Sequence, residues 1–248
     1  MQNRDSFNGL GVADTDVCHN LGMAPPLSVL DREMYSEAEA ARLLRVAQGT
    51  LHYWLEGKTT RDGHIYQPVI RPEPTKRRTV TWAEFVEAGL LSQYRQRNVD
   101  LDEVRRFIAV LREKTGHPYP LASERPWALN GRLLVEAQQE SELPPEYWLY
   151  APTDGQLLLR TPAAQSFLDR VTFESDEAVL WRPAGTDSPV VIDPDSRFGR
   201  PSVNGISTSI IKEYSDDGYG YDEIAEEFNL DIRDVELAVA YELEVKSA

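Results

Sequence analysis

The chain has 248 residues and a formal net charge of −15, with 41% hydrophobic and 27% charged residues. This length suits one large domain or two small ones, and the composition is that of a globular protein. The sequence lacks a run of about 18 apolar residues, which excludes a membrane-spanning helix. The single cysteine, Cys18, excludes a disulfide framework and a thiolate metal site, so we expect a reducing, cytoplasmic setting.

The charge is spread unevenly along the chain. Residues 42–114 contain 14 Lys or Arg and 9 Asp or Glu, whereas residues 201–248 contain 3 basic and 12 acidic residues. A basic segment and an acidic one in the same chain predict one surface for nucleic acid and another for a basic or RNA-handling protein.

Residues 1–33 come first and lack a basic start followed by a continuous apolar core. We expect them to form a flexible leader rather than a secretory signal, and Met23 is a possible alternative start.

The next segment, residues 34–116, predicts two short helices around a tight turn. Ser36 and Glu39 have the spacing of a capping box, which predicts a helix start at Ser36. The turn is expected at residues 45–47 and the second helix at residues 48–56, where Gly57 ends it.

Two β-type runs follow, at residues 65–71 and 78–82. We expect them to pair as a hairpin wing with a basic tip at Lys76, Arg77 and Arg78. Capping-box spacings at Thr81 and Asp100 predict helices over residues 82–97 and 101–114. Residues 34–116 are therefore predicted to form a winged helix-turn-helix.

Residues 117–188 are predicted to be a β-rich α+β middle domain. Asn130-Gly131 predicts a hairpin between residues 127–129 and 133–135, and Asp154-Gly155 predicts another between residues 147–150 and 156–159. A short helix is expected from Thr161-Pro162 to Arg170, with strands at residues 178–181 and 190–192. The aromatic side chains here serve either as anchors for a partner or as the segment's own core, namely Trp148, Tyr150, Phe167, Phe173 and Trp181.

Residues 189–248 predict a C-terminal domain of three helices, at residues 208–216, 222–228 and 232–244. Their apolar positions include Ile224, Phe228 and Val239, which we expect to pack together. The predicted fold class is thus α+β.

The run VAQGTLHYW at residues 46–54 resembles the DNA-binding start of MerR-type regulators. That family carries Thr-Leu-Arg-Tyr-Tyr on its recognition helix, and this chain has Thr-Leu-His-Tyr-Trp at residues 50–54. His52 therefore replaces an arginine, which weakens one expected phosphate contact at neutral pH.

The last third of the chain resembles a small helical domain found mostly in prokaryotic antitoxins. The matching features are Asp193-Pro194, a Gly-x-Pro at residues 199–201, Gly205, Asp217-Gly218 and the run IAEEF at residues 224–228. The order of the segments is similar to that of the larger VapB-type antitoxins. This resemblance implies a PIN-domain ribonuclease toxin as partner and an operator DNA that the N-terminal segment binds.

We expect DNA contacts from the second helix and the wing. Base edges would be reached from the start of that helix, and phosphates from basic and polar side chains around it. The candidate residues are Gln48, Thr50, His52, Tyr53, Lys58, Arg71, Lys76, Arg77 and Arg78. Alternatively, Tyr53 packs on the wing and the basic run at residues 76–78 is a solvated turn.

Few phosphate contacts per copy favour a homodimer or hetero-oligomer. The four histidines are scattered and no phosphate-binding glycine loop follows a strand, so we expect no enzyme, metal or cofactor. The sequence does not identify the toxin-binding residues, and the acidic C-terminus fits either simple solubility or a basic toxin. The alternatives to an antitoxin are a stand-alone MerR-like regulator with a ligand-binding or dimerising middle domain, and an adaptor without DNA affinity.

Overall fold

The computed structural model describes residues 28–96, 99–123, 131–145, 148, 150–152, 158–160 and 169–246. Within these ranges, helices combine with short antiparallel strand pairs, which confirms the predicted α+β class. None of the helices in these ranges has an apolar stretch long enough to cross a membrane.

The N-terminal part of the fold contains two pairs of consecutive helices, with short strands before and between the pairs. A 3-10 turn at Val29–Asp31 precedes these elements, which are β1 (Glu33–Ser36), α1 (Glu37–Leu44), α2 (Gln48–Glu56), β2 (Lys58–Thr59), β3 (Ile65–Tyr66), β4 (Thr79–Thr81), α3 (Trp82–Gln96) and α4 (Leu101–Thr115).

Local capping sets the helix starts, and here the predictions are confirmed. The Ser36 hydroxyl accepts a hydrogen bond from the Glu39 N–H at 3.2 Å. Thr81 and Glu84 form both halves of a capping box at the start of α3. α2 begins and ends at the predicted residues, since Gly57 adopts a left-handed φ of 73° beyond its last turn.

Strand pairing differs from the prediction. β3 pairs with β2, and β4 pairs with β1, so residues 65–71 and 78–82 do not form a hairpin with each other. The expected basic tip at residues 76–78 is therefore a loop between two separate strand pairs. The leader boundary also needs correction, because residues 28–33 form the 3-10 turn and the start of β1.

The middle segment contains α5 (Gly131–Glu140), β5 (Tyr150–Pro152), β6 (Leu158–Arg160), β7 (Val171–Glu174) and β8 (Glu177–Trp181). The hairpin predicted around Asn130-Gly131 is wrong because residues 133–135 lie within α5, while residues 127–130 fall outside the described ranges. β5 pairs antiparallel with β6, close to the strands predicted for the second hairpin, whereas its predicted turn at Asp154-Gly155 lies outside the described residues. The helix predicted from Thr161 lies mostly outside the described residues, and strand β7 was not predicted.

The C-terminal segment follows the sequence prediction closely. It contains β9 (Ser202–Val203), β10 (Ile206–Ser207), α6 (Thr208–Asp216), α7 (Tyr221–Phe228) and α8 (Ile232–Lys246). Ile224, Val235, Ala238 and Val239 share one buried cluster, and Phe228 packs against it, as predicted.

Two buried clusters are joined by the chain around residues 190–192. Ile192 belongs to the larger cluster, which spans α1 to β8, and Val190 belongs to the C-terminal cluster. The predicted strand at 190–192 forms isolated bridges instead, from Ile192 to Trp181 and from Val191 to Ser202. Trp181 is itself part of the larger core, and Phe173 and Trp148 pack against that core.

Contact between α3 and β8 depends on the glycine at position 89. A Cβ atom added there would lie 2.6 Å from the Trp181 ring, and Trp181 is only 4% exposed. We expect Gly89→Ala to lower the free energy of unfolding by about 1–3 kcal/mol through overpacking. Urea denaturation monitored by tryptophan fluorescence measures this change.

Gly49 provides the matched control within an exposed helical turn. A Cβ added at Gly49 meets nothing within 4 Å. Gly49→Ala should therefore raise the free energy of unfolding by up to about 1 kcal/mol through helix propensity. Similar unfolding midpoints for the two variants would contradict the close packing of α3 on Trp181.

Candidate nucleic-acid interface

The exposed face of α2 carries the residues predicted to read bases. Gln48 and Thr50 are exposed at its N-terminal end, while Leu51, Trp54 and Leu55 are buried on the opposite side. The turn before α2 is tight because Arg45 adopts a left-handed φ of 56° and its N–H bonds back to the end of α1. This geometry leaves the start of α2 free to approach a ligand.

A short hairpin, formed by β2 and β3, follows α2 directly. Gly57 permits the close turn, since a Cβ there would lie 2.3 Å from the Tyr66 carbonyl oxygen. The Tyr53 ring meets the Tyr66 ring edge-on at a centroid distance of 6.4 Å, which braces the hairpin on α2. At the tip, the Thr60 N–H donates to the His64 carbonyl at 2.9 Å.

A groove of about 510 Å³ lies between α2, this hairpin and the loop at residues 72–78. It brings together four of the predicted DNA-contact residues, which are His52, Lys58, Lys76 and Arg78. Lys58 and Lys76 have no carboxylate partner within the described part of the chain. The groove therefore presents basic side chains beside the exposed helix face.

Arg71 is not available for this surface, and its assignment as a phosphate contact is corrected. Its side chain is fully buried. Nε and Nη2 donate to the two Glu84 oxygens at 2.8 and 3.1 Å, and Nη1 pairs with Glu56. Nη2 also donates to the Thr79 carbonyl oxygen at 2.7 Å. Arg71 thus links α2, α3 and the loop from within.

Glu56 continues this link to the basic loop. Its second oxygen accepts the Lys76 N–H at 2.8 Å, and Lys76 has a left-handed φ of 59°. Burial opposes ionisation, but hydrogen bonds from Lys76, Thr75 and Arg71 hold the pKa of Glu56 below its usual value. An ionised Glu56 therefore fixes the loop that carries the predicted basic run.

The remaining arginines of that run are paired with acidic residues of β1 and α1. Arg77 donates to Glu33 at 3.3 Å, and Arg78 donates to the buried Glu37 at 3.0 Å. Glu37 also lies 3.1 Å from Nδ1 of His52. Arg78 remains 74% exposed, so it still presents charge to solvent.

Tyr53 is engaged in the free protein. Its hydroxyl accepts a hydrogen bond from Arg105 of α4 at 3.1 Å, while its ring packs on the hairpin. This arrangement matches the packing alternative considered for Tyr53 from the sequence.

The sequence prediction missed Arg61, which sits at the exposed tip of the observed hairpin. Asp62-Gly63 is a two-residue turn signal between short extended runs and could have located this hairpin. The hairpin is absent from the sequence prediction because that prediction assigns residues 65–82 to a wing of their own. Asp62 bonds to the Thr60 hydroxyl, and that bond lowers the pKa of the Asp62 carboxyl.

The described residues contain no group of three or more His, Cys, Asp or Glu side chains placed to hold a metal ion. What these residues do present is an exposed helix start, a groove and four exposed cations, Lys58, Arg61, Lys76 and Arg78. Cations with these flexible side chains can contact phosphates, and the polar helix start can reach base edges.

Comparison with known proteins gives two relatives by sequence, and no family model matches. The uncharacterized protein Rv2308 of Mycobacterium tuberculosis is 31% identical over 228 residues, which cover 86% of this chain and 92% of Rv2308. VapB45 of the same organism, named as a candidate antitoxin, is 27% identical over 189 residues, which cover 71% of this chain and 78% of VapB45.

The fold is also found in a solved structure. The crystal structure of Rv2018 from Mycobacterium tuberculosis has a TM-score of 0.66 at 23% sequence identity. The match covers 86% of this chain and all of that one.

The buried position of Arg71 makes a specific stability prediction. Arg71→Met removes the only cation paired with Glu56 in the described residues and leaves the buried Glu84 with only the more distant Arg77 at 3.8 Å, so we expect the free energy of unfolding to fall by about 3–5 kcal/mol. Chemical denaturation at pH 7 measures the loss.

Arg77→Met is the control, because its guanidinium is 44% exposed, pairs with the exposed Glu33 and lies no closer than 3.8 Å to Glu84. We expect it to change the free energy of unfolding by less than about 1 kcal/mol. Equal losses in the two variants would show that Arg71 does not hold α2 and α3 together.

Proposed function

The chain belongs to the same protein family as Rv2308, and we propose that it is the antitoxin of a type II toxin–antitoxin pair. It binds and neutralises a PIN-domain ribonuclease toxin and represses its own operon by binding operator DNA. The similarity to VapB45, which extends over 71% of this chain, is the observation that carries the proposal.

In this proposal α1, α2 and the β2–β3 hairpin act as a winged helix-turn-helix of MerR-like type. α2 is the recognition helix, with Gln48 and Thr50 at base edges and His52 alongside. The exposure of Gln48 and Thr50 at the start of α2 supports this role. The hairpin is the wing.

Phosphate contacts come from Lys58, Arg61, Lys76 and Arg78. Arg77 and Tyr53 take part only by exchanging their present partners, Glu33 and Arg105. Four cations per copy are few for tight binding, so we propose that the protein binds DNA as a dimer or within a hetero-oligomer.

The DNA proposal predicts a strong salt dependence. Four phosphate contacts correspond to a slope of roughly −3.6 for log K against log salt concentration per copy, and about twice that for a dimer. The double change Lys58→Ala and Arg61→Ala should reduce the magnitude of this slope by about 1.8 per copy. Fluorescence anisotropy with the DNA upstream of the reading frame measures the slope.

Lys114→Ala is the matched control, since Lys114 lies on α4 and pairs with Glu140 away from the groove. It should leave the slope unchanged. A wild-type slope near zero, or an equal reduction from Lys114→Ala, would refute phosphate binding by this face.

Phe198 supports a protein partner for the C-terminal part. Its side chain is 89% exposed, and its backbone has a left-handed φ of 56°, which is costly for a bulky residue. The Tyr35 hydroxyl fixes the turn by donating to the Gly199 carbonyl at 2.7 Å. Strained, exposed residues of this kind mark contact sites, so we propose Phe198 as a toxin anchor.

The toxin proposal predicts a stable complex with the product of the neighbouring reading frame. Co-expression should relieve that product's toxicity, and the two chains should purify together. Phe198→Asp should weaken the complex at least tenfold without loss of stability, because Asp tolerates the left-handed conformation better than Phe. Growth rescue measures the relief of toxicity, and calorimetry measures the affinity of each variant for the toxin.

Ile65→Asp is the control for surface hydrophobicity, since Ile65 is 61% exposed on the hairpin. It should bind the toxin like the wild type. A chain that purifies alone and relieves no toxicity would contradict the antitoxin proposal and favour a stand-alone regulator.

A further inference from the structure

A small cleft of about 190 Å³ lies behind the α1–α2 turn, on the side of the core formed by α3 and β8. Residues from separate segments meet there. The polar ones are Arg45, Ser92, Gln93, Gln96 and Arg170, and the Trp181 ring lies beside them. The cleft is distinct from the groove beside α2.

The cleft contains two guanidinium groups but little negative charge. Arg170 donates to the Pro183 carbonyl at 2.6 Å, and no carboxylate within the described ranges pairs with it. Burial, together with the positive charge of Arg45, lowers the pKa of Arg170. Arg45 has one carboxylate, Glu244, at 2.8 Å.

Gln93 adds an unsatisfied donor to this cleft. Its side-chain nitrogen is buried and has no hydrogen-bond partner among the described residues. An unpaired buried amide destabilises a fold, whereas the same amide is satisfied when an acceptor enters. The neighbouring Ser92 is 93% buried, since its exposed fraction is 7%.

We propose that this cleft binds a small oxyanion, a phosphate or a carboxylate, between Arg45 and Arg170. Both guanidinium groups present only donors, and their planar forks match two oxygens of such an anion. Gln93 supplies a further donor. The volume admits an ion or a small metabolite and excludes a nucleic-acid strand. The site does not depend on the antitoxin function.

The test uses the full-length protein with two probes, inorganic phosphate and succinate, at constant ionic strength set with sodium chloride. At least one probe should raise Tm in a saturable manner, by about 5–10 °C at a hundred times its Kd. The comparison of the two probes identifies which source of oxyanion the cleft prefers. No saturable rise with either probe would overturn the proposal.

Variants locate the effect in the cleft. Arg170→Ala should weaken binding at least tenfold by calorimetry. Gln93→Leu should weaken it about threefold while leaving the unliganded Tm unchanged or higher, because it removes an unpaired buried amide. This second variant guards against a simple folding defect in the first.

Arg182→Ala is the matched control. Arg182 bonds to the Thr172 hydroxyl on the neighbouring strand at 2.7 Å and does not line the cleft. It should bind the probe within twofold of wild type. An equal loss of affinity in Arg182→Ala and Arg170→Ala would place the anion elsewhere and overturn the proposal.

Discussion

The Arg71 guanidinium group holds the N-terminal part of this protein together. A charge buried to this extent is tolerated only when its donors are satisfied, and Arg71 reaches carboxylates on both α2 and α3 as well as backbone carbonyls of the intervening loop. The angle between the exposed face of α2 and the rest of the core follows from this network. Without Arg71, the loop at residues 72–78 would lose its fixed position beside the groove, because Glu56 links Arg71 to this loop.

α3 places two buried carboxylates one turn apart, and their hydrogen-bond partners differ. Glu84 faces Arg71 and accepts the Thr81 N–H. Glu87 receives the Leu121 N–H at 2.9 Å on one oxygen, while its other oxygen has no partner in the described residues. Burial raises the pKa of Glu87 to about 8, and Arg112 only partly opposes that effect. Near neutral pH, Glu87 is therefore largely protonated and adds little negative charge beside Glu84.

The helices could be predicted from the sequence because local interactions define their ends. Ser36, Thr81 and Gly57 act within one turn of the residues they cap, so their spacing is visible in the chain. Strand pairing is different, because β4 finds its partner more than forty residues away in β1. The Asn130-Gly131 signal was likewise outweighed by the helical context of residues 131–140. Arg71 was misjudged for the same reason: a basic residue in a basic segment looks exposed until Glu56 and Glu84 fold around it.

Charge counting along the sequence overstated the basic surface in a related way. The count of basic residues over 42–114 leaves out Glu33 and Glu37, which lie just before that window and pair with Arg77 and Arg78 in the fold, although Arg78 stays 74% exposed. The exposed positive charge of this face is thereby concentrated at the groove and the hairpin tip. On the opposite side, Arg45 occupies the turn between α1 and α2, pairs with Glu244 of α8 and lies 5.6 Å from the Tyr241 ring centroid. The turn that orients the exposed helix is thus in direct contact with the C-terminal helix.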